Sequence, residues 1–273
     1  MKPTLKKLLY YIGCNSRISG KELGKKLRMS QQAASYHIKS LEDKKLIKGY
    51  TTIIDPIKLG FINVQVGFRL KELKSDKLKK MQQELLSIPE VVICQIGAAG
   101  VDFLVEFSSQ NLSSFNKTYT EFMGKNYKEI KTLFINPIIV RHKFPRNYLA
   151  VKSQVDEIII LGDRDLTPLN SYEQQTLKLL ADDPQITLSQ IAVTTKQAIK
   201  TVASLKKRLE AKKVIRGYDI MINYEELGIQ RSILLLELRA LEMTPWLVEF
   251  SKVHRNIVQL DKIMGKYSLC LTI

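Results

Sequence analysis

The chain has 273 residues, of which 45% are hydrophobic and 26% are charged, and its formal net charge is +16 at pH 7. The length corresponds to two to four modest domains, and this hydrophobic content excludes a disordered chain. No apolar run approaches the ~20 residues of a membrane-spanning helix. The excess of lysine and arginine favours a polyanionic partner such as nucleic acid, because these cations release the counterions condensed on it.

A segment of about 45 residues occurs twice, 168 positions apart. LEDKKLIKGY at 41–50 matches LEAKKVIRGY at 209–218, with seven of the ten positions identical. The spacing holds without a gap from Ile18, which matches Ile186, to Gly60, which matches Gly228. The sequence therefore predicts a tandem of one structural plan.

The first copy has the order of a helix-turn-helix domain. Helices are predicted around 5–12, over 19–27, and over 30–43, where Ser30 can cap the third helix by accepting a backbone N–H. A β-branched, alternating strand follows at 45–54 and forms the wing and hinge. One face of the third helix points to the core, through Ala34, Ile38 and Leu41.

The opposite face of the third helix carries polar side chains that can reach base edges and phosphates in a major groove. Such a face also fits a solvated helix surface, and only the three-helix context favours DNA. His37 either flanks the core or touches a phosphate. The candidate DNA-binding residues of the first copy are Gln31, Gln32, Ser35, Tyr36, Lys39, Ser40, Lys44 and Lys48.

The second copy spans 171–229, with Ser171 predicted to cap its first helix and its recognition helix predicted over 197–213. The predicted core stripe of that recognition helix is Ala198, Val202, Leu205 and Leu209. The polar residues left for DNA are Lys200, Thr201, Ser204, Lys206, Lys207 and Arg208, of which Lys207 and Arg208 fit a solvated surface equally well.

Charge is divided unequally between the two copies. Residues 1–60 hold 13 Lys and Arg against 4 Asp and Glu, a net charge of +9, whereas residues 171–229 hold 9 against 7, a net charge of +2. Because cations gain free energy by releasing the counterions condensed on DNA, the first copy is expected to bind DNA more tightly.

Between the copies the hydrophobic period changes to that of a ferredoxin-like βαββαβ domain, over residues 61–145. The predicted strands are 62–70, 91–96, 103–107 and 131–143, and the predicted helices are 75–86 and 112–127. The fold class is thus α+β, with winged helix-turn-helix domains alternating with ferredoxin-like βαββαβ sensing domains.

These motifs resemble the Lrp/AsnC (feast/famine) transcriptional regulators over residues 4–145. The residues that carry the resemblance are Ile18-Ser19, Leu41-Glu42, Ile47-Lys48-Gly49-Tyr50, Asp55-Pro56, Lys58-Leu59-Gly60 and Gly100-Val101-Asp102. The resemblance implies a sequence-specific regulator of transcription that binds double-stranded DNA through residues 1–60. It also implies sensing domains that pair through their sheets, so that two recognition helices reach successive major grooves roughly 34 Å apart.

The sensing domain suggests where a small effector such as an amino acid binds. Gly97 and Gly100 let a backbone approach a ligand, and Asp102 offers an anion to an amino group. The alternative is structural, with the glycines turning a hairpin that Asp102 caps. Residues 62–145 and 230–273 could pair within one chain, but because the second of these domains is incomplete, we expect a homodimer, or a higher homo-oligomer, through residues 62–145.

The second sensing domain is predicted over 230–273, with strands at 232–239, 257–263 and from 268 and a helix at 245–253. The sequence ends inside the third strand, which favours a truncated product; the alternative is that another subunit supplies the remaining elements. Ser268 stands where a counterpart of Asp102 is expected. Residues 146–170 form a linker, in which 157–161 is expected to add an edge strand or to pack on the first sensing domain, with a flexible joint at 162–168.

An enzyme is the alternative function, because siroheme decarboxylases share this domain plan. This chain has Asp55-Pro56 where that family tends to have histidine, and the nearby candidates are Arg141, His142 and Arg146. The prediction is therefore a regulator without catalytic residues, metal or cofactor. Cys14, Cys94 and Cys270 show no metal-ligand spacing and fit cores of a protein in a reducing cytoplasm.

Overall fold

The computed structural model describes residues 3–149, 156–162 and 165–273. Its first winged unit consists of α1 (Pro3–Cys14), α2 (Gly20–Leu27), α3 (Gln31–Asp43) and β1 (Ile47–Ile54). Each helix buries one apolar face in a shared core, with Leu8, Leu9, Leu23 and Leu41 at most 1% exposed. The predicted elements of this unit are therefore confirmed.

The first sheet unit consists of β2 (Ile62–Leu70), α4 (Ser75–Leu86), β3 (Val91–Ile96), β4 (Phe103–Ser109), α5 (Leu112–Asn126) and β5 (Ile130–Lys143). The strands are antiparallel in the order β3-β4-β2-β5. The two helices cover one face of this sheet, where Phe68, Phe103 and Phe107 are fully buried. The predicted βαββαβ order is confirmed.

The segment after β5 adds one short strand. β6 (Ile158–Ile160) pairs antiparallel with β5, with Ile160 opposite Arg141. The expected edge strand at 157–161 is thus confirmed. Within the flexible joint predicted at 162–168, Asp163 and Arg164 lie outside the described residues.

The second winged unit consists of α6 (Ser171–Asp182), α7 (Leu188–Thr195), α8 (Ile199–Ala211) and β7 (Ile215–Ile222). Two details differ from the prediction. Asn170, not Ser171, caps α6, because its side chain accepts the Glu173 N–H while Glu173 bonds back to the Asn170 N–H. Ala198 is the exposed N-cap residue that precedes α8 rather than part of its core stripe.

The second sheet unit consists of β8 (Ile233–Leu236), α9 (Thr244–Val253), β9 (Gln259–Ile263) and β10 (Leu269–Thr272). The predicted strand at 232–239 is shorter in the structure. α9 covers one face of these three strands, packing Val248 against Leu260, Leu269 and Leu271.

The backbone repeats with the sequence. Positive φ angles at Arg28, Lys45 and Gly60 recur 168 positions later at Lys196, Lys213 and Gly228. The left-handed conformation is sterically costly for residues with a Cβ, so its recurrence at matching positions indicates the same turn geometry in both winged units.

The two halves of the chain are joined by two sets of strand pairs. β1 pairs antiparallel with β7, placing Thr51 opposite Asp219. β5 pairs with β2 over its first half and with β9 over its second half, so one path runs β3-β4-β2-β5-β9-β10-β8. The sheets that were expected to pair between two chains through residues 62–145 therefore meet within one chain, because the 14-residue β5 is long enough to span both.

Buried ion pairs fix this junction. Arg141 of β5 donates to Glu106 of the first sheet unit and to Asp261 of the second, at 2.7–3.1 Å. Asp219 of β7 accepts from Arg146 at 2.7 Å and 3.1 Å and from Lys143. Each acidic partner is at most 4% exposed.

None of the helices in the described ranges is both long and apolar enough to cross a membrane. Over these same residues, no group of three or more His, Cys, Asp and Glu side chains is arranged to hold a metal ion.

Candidate nucleic-acid interface

The turn between α2 and α3 sets the angle of the recognition helix. Ser19 begins α2 by accepting the Glu22 N–H at 3.2 Å, and Arg28 ends it in the left-handed conformation. A Cβ on Gly24 would lie 2.7 Å from the Met29 carbonyl oxygen. Only glycine at this position therefore lets the turn pack so closely on α2.

The recognition helix α3 begins as the sequence predicts. The Ser30 hydroxyl accepts the Ala33 N–H at 3.1 Å, which satisfies a helix N-terminal donor. Ala34 and Leu41 are buried on its inner face. His37 is half-buried and lies edge-to-face with Tyr36, at 5.7 Å between ring centroids.

The candidate DNA-binding residues of the first winged unit lie together on its outer surface. All are exposed except Ser40, which is half-buried, and Tyr36 keeps 71% of its surface exposed. The Tyr36 ring therefore lies on the surface and contributes little to the core of this unit. The ion pairs among the described residues do not include Lys39, Lys44 or Lys48.

On the second recognition helix, α8, the candidate DNA-binding residues are also exposed: Lys200, Thr201, Ser204 and Lys207. Its N-terminus differs, because Ala198 replaces the counterpart Ser30 and supplies no side-chain cap. Two more of its cations are held internally: Lys206 pairs with Glu210 at 2.6 Å, and Arg208 pairs with Glu173 at 3.3 Å.

The counterparts of Lys44 and Lys48 show the same difference between the units. Lys212, which corresponds to Lys44, pairs with the buried Glu173 at 3.0 Å. Arg216, which corresponds to Lys48, pairs with the buried Asp55 at 2.6 Å. The first unit thus leaves these positions exposed, whereas the second pairs one of them with its own Glu173 and the other with Asp55 of the first half.

Glu173 is the centre of that internal network. Burial raises its pKa, but hydrogen bonding from the Asn170 N–H and from Lys212, together with the charges of Lys212 and Arg208, outweighs burial and lowers the pKa below its usual value. The carboxylate is therefore charged at neutral pH, and it neutralises part of the surface next to α8.

The predicted effector residues surround a hairpin turn. Asp102 accepts the Leu70 N–H at 2.7 Å, and its own N–H donates to the Phe68 carbonyl at 2.9 Å. In the second sheet unit Ser268 does the same, accepting the Leu238 N–H at 3.3 Å and donating its N–H to Leu236. This repeated geometry gives Asp102 a structural role whether or not it contacts an effector.

The glycines beside Asp102 are required by the backbone. A Cβ on Gly97 would lie 2.2 Å from the Val101 carbonyl oxygen, and Gly100 adopts a φ of +92°. Arg69 donates to the Gly100 carbonyl at 2.6 Å. These contacts account for both glycines through the turn itself.

The residues named for the enzyme alternative are already engaged. Arg141 lies between Glu106 and Asp261, and Arg146 binds Asp219. His142 is buried, with its Nδ1 2.7 Å from Glu157. These three side chains therefore have internal partners, although Arg146 and Arg141 each also line a cavity and the Nε2 of His142 is buried without a hydrogen-bond partner among the described residues.

Sequence reasoning did not identify the buried acids at the junction, Glu106, Asp219 and Asp261. Asp219 had a detectable signal, because it replaces Thr51 of the first copy and stands between Tyr218 and the apolar run Ile220–Ile222. Glu106 likewise interrupts an apolar strand, but nothing local indicates that Arg141 is its partner.

Comparison with known families and proteins supports the helix-turn-helix assignment. Residues 1–48 match the family described as "Winged helix-turn-helix DNA-binding". The chain is 31% identical over 119 residues to the proline dehydrogenase transcriptional activator of Rhodobacter capsulatus, covering 43% of this chain and 77% of that protein. It is 41% identical over 54 residues to the HTH-type transcriptional regulator LrpB of Bacillus subtilis, covering 20% of this chain and 36% of that regulator.

A solved structure matches the arrangement of the whole chain. The siroheme decarboxylase NirDL superimposes with a TM-score of 0.62 at 12% sequence identity, covering 99% of this chain and 81% of that one. At this identity the likeness shows the fold alone.

Proposed function

Because the chain belongs to the Lrp/AsnC family of transcriptional regulators, we propose that it is a sequence-specific DNA-binding regulator. Its first winged unit supplies most of the affinity for DNA. The observation that carries the proposal is the exposed polar face of α3. It combines amide and hydroxyl groups that can bond base edges with lysines that can neutralise phosphates.

The difference in charge between the winged units supports the unequal division of binding. Lys44 and Lys48 are exposed, whereas their counterparts Lys212 and Arg216 are bound to buried carboxylates. A cation already paired within the protein releases fewer counterions on contact with DNA. The second unit then orients the protein on the DNA and adds contacts to it, but contributes less to the binding affinity than the first unit does.

The joined halves suggest how one chain presents two recognition helices. The hinge strands β1 and β7 pair directly with each other, and β5 pairs with strands of both sheet units. A single chain thereby has the two-fold-like architecture that separate subunits produce in dimeric helix-turn-helix proteins. We expect its operator to consist of one strongly bound and one weakly bound half-site.

Selection of bound sequences from random duplex DNA tests the proposal. We expect a motif whose information is concentrated in one half-site, with binding that weakens steeply as salt rises. Repeating the selection with a panel of amino acids tests for an effector, which would change either the motif or the yield. Recovery of no motif at all would contradict the proposal.

The full-length likeness to a siroheme decarboxylase supports a second candidate, an enzyme that acts on a tetrapyrrole. Against it, Arg141, His142 and Arg146 have internal partners. Titration of the protein with siroheme, followed by visible absorption, distinguishes the candidates. A saturable spectral change together with release of carbon dioxide from the substrate carboxylates would favour the enzyme, and the absence of both would favour the regulator.

A further inference from the structure

The two winged units also contact each other through the loops that follow their first helices. In the first unit this loop is 15–19, between α1 and α2, and in the second unit it is 183–187, between α6 and α7. The two loops are equivalent in the repeat of 168 positions. The hydrogen bonds between them are separate from the hinge pair β1–β7.

The hydrogen bonds between the loops are reciprocal. Arg17 donates from Nη1 to the Pro184 carbonyl at 2.7 Å and from Nη2 to the Ile186 carbonyl at 2.9 Å. Gln185, the counterpart of Arg17, donates from Nε2 to the Ser16 carbonyl at 3.2 Å and to the Ser16 hydroxyl at 3.4 Å. Each loop therefore binds the other with the side chain at the same position of the repeat.

Arg17 also contacts the support of the second recognition helix. Its guanidinium lies over the ring of Tyr218 in β7, 5.4 Å from the ring centroid. The Tyr218 hydroxyl donates to Glu210 of α8 at 3.0 Å, and the Ser16 N–H donates to the Tyr218 carbonyl at 3.0 Å. One side chain of the first unit is thus connected, through one ring, to the recognition helix of the second.

The contact between the loops restrains rotation of one winged unit against the other. The hinge pair β1–β7 is a two-stranded sheet, and such ribbons twist more than larger sheets do. The packing of α1 on β7 is apolar and has no direction of its own. A guanidinium, in contrast, is planar and fixes the direction of two charged hydrogen bonds at once. Rotation about the hinge pair would break both bonds of Arg17.

We propose that Arg17, together with Gln185, positions the two winged units at one fixed angle, and that this angle sets the spacing of the DNA half-sites that the chain binds. The effect on spacing depends on the proposed function, whereas the fixed angle does not. One base pair inserted between the half-sites turns one against the other by about 34–36° and moves it by about 3.4 Å. The chain should therefore bind one spacing in preference to its neighbours.

The fixed angle is tested without DNA. Spin labels on encoded non-natural residues at Lys25 and Val193, which are exposed and equivalent in α2 and α7, report the distance between the units by pulsed electron paramagnetic resonance. The parent chain should give one narrow distance distribution. Arg17→Met should broaden it about twofold, because the units then sample more angles.

Lys7→Met is the matched control for this measurement. It removes a positive charge from the same winged unit, and Lys7 is exposed on α1. Its distance distribution should stay as narrow as that of the parent. Thermal unfolding of each variant shows whether the fold is retained.

Exchange of the two equivalent side chains separates positioning from folding. Gln185→Ala removes neutral donors from an exposed side chain and should broaden the distribution less than Arg17→Met does, since charged hydrogen bonds are the stronger ones. Arg17→Gln alone should also broaden it. Arg17→Gln combined with Gln185→Arg returns both kinds of donor with the roles of the loops reversed, so the distribution should be narrow again.

Two results of the distance measurement would overturn the proposal. One is an unchanged distribution in Arg17→Met and in Gln185→Ala. The other is a double variant whose distribution is as broad as that of Arg17→Gln alone.

The effect on spacing is measured with the selected operator, to which single base pairs are added or from which they are removed between the half-sites. The parent should lose about tenfold in affinity for a change of one base pair, whereas Arg17→Met should lose about threefold or less. Both proteins should bind the isolated strong half-site equally. A parent-like spacing preference in Arg17→Met would overturn the role in spacing; a narrow distance distribution in a chain that binds no DNA would instead contradict the proposed function.

Discussion

Arg216 donates two hydrogen bonds to one carboxylate oxygen of Asp55, from Nε at 2.9 Å and from Nη2 at 2.6 Å. The other oxygen of Asp55 accepts the Leu161 N–H at 3.0 Å. This contact joins the end of the first hinge strand to the second hinge strand and to the linker. It also removes from the surface the cation that corresponds to Lys48.

Replacement of Arg216 should destabilise the fold. Arg216→Met leaves the buried Asp55 carboxylate without its cation, and breaking such a pair costs roughly 3–5 kcal/mol of unfolding free energy. Urea denaturation measures the change. Lys48→Met is the matched control at the exposed counterpart and should stay within about 0.5 kcal/mol of the parent; an equal effect of the two would show that the ion pair does not hold the hinge.

The two winged units should contribute unequally to the salt dependence of DNA binding. With roughly five to eight phosphates neutralised, we expect log K to fall against log salt with a slope of about −5 to −7. Lys39→Ala should make that slope less negative by about one unit for each phosphate contact that is lost. Lys207→Ala, at the equivalent place on α8, should change it less; fluorescence anisotropy at a series of salt concentrations measures both.

Readout of sequence should separate from positioning within the first winged unit. A glutamine can bond an adenine edge through two hydrogen bonds, worth about 1–3 kcal/mol of discrimination. Gln32→Ala should therefore relax preference at one base pair, and Lys44→Ala should weaken all sequences alike. Binding of both variants to an array of single-base operator mutants measures this, and identical profiles would refute the assignment.

Stability in acid should depend on Asp219. Burial raises its pKa, but the charges and hydrogen bonds of Arg146 and Lys143 outweigh burial and hold the pKa below its ordinary value. Because the folded pKa is depressed, the contribution of Asp219 is present above its unfolded pKa of about 3.9 and is lost as pH falls through the lower folded value.

The test is Asp219→Asn, measured by urea denaturation from neutral pH into acid. At pH 7 the variant should be less stable by roughly 3 kcal/mol, because two partly buried cations lose the buried carboxylate that neutralises them. The difference should shrink below about pH 4. A difference that is constant over this range would mean that ionisation of Asp219 does not contribute.

The pKa of Asp261 is shifted in the opposite direction to that of Asp219. Burial raises its pKa, and although Arg141 acts to lower it, that guanidinium is shared with Glu106, so the pKa stays above its usual value. Two carboxylates compete for one cation at Arg141, whereas two cations serve one carboxylate at Asp219. Asp219 is therefore the better choice for a stability test with a clear sign.

The hairpin turn at Asp102 allows stability to be separated from effector binding. Asp102→Ser should keep the fold, because Ser268 already accepts the corresponding N–H in the second sheet unit. Asp102→Ala should cost about 1–3 kcal/mol, since the Leu70 N–H loses its acceptor. If an amino acid binds here, calorimetry should show that Asp102→Ser loses affinity for it while keeping its thermal stability.

Local patterns in the sequence were sufficient for the elements and for the candidate interface. Helical spacing placed α3, the capping residue Ser30 marked its start, and the repeat of 168 positions located the second winged unit. The errors within elements were local, as at Ser171, where the neighbouring Asn170 has the side chain that reaches the Glu173 N–H, and at Ala198, which is exposed before α8.

Only the tertiary structure decided which strands meet and which cations remain at the surface. The pairs Arg216–Asp55 and Arg141–Asp261 join residues 161 and 120 positions apart, and contacts at such separation leave no periodic signal along the chain. Sequence alone shows Lys48 and Arg216 as equivalent cations of two copies. Their different fates, one exposed and one bound to a buried carboxylate, depend on how β1 and β7 pair, and that pairing is set by packing across the whole molecule.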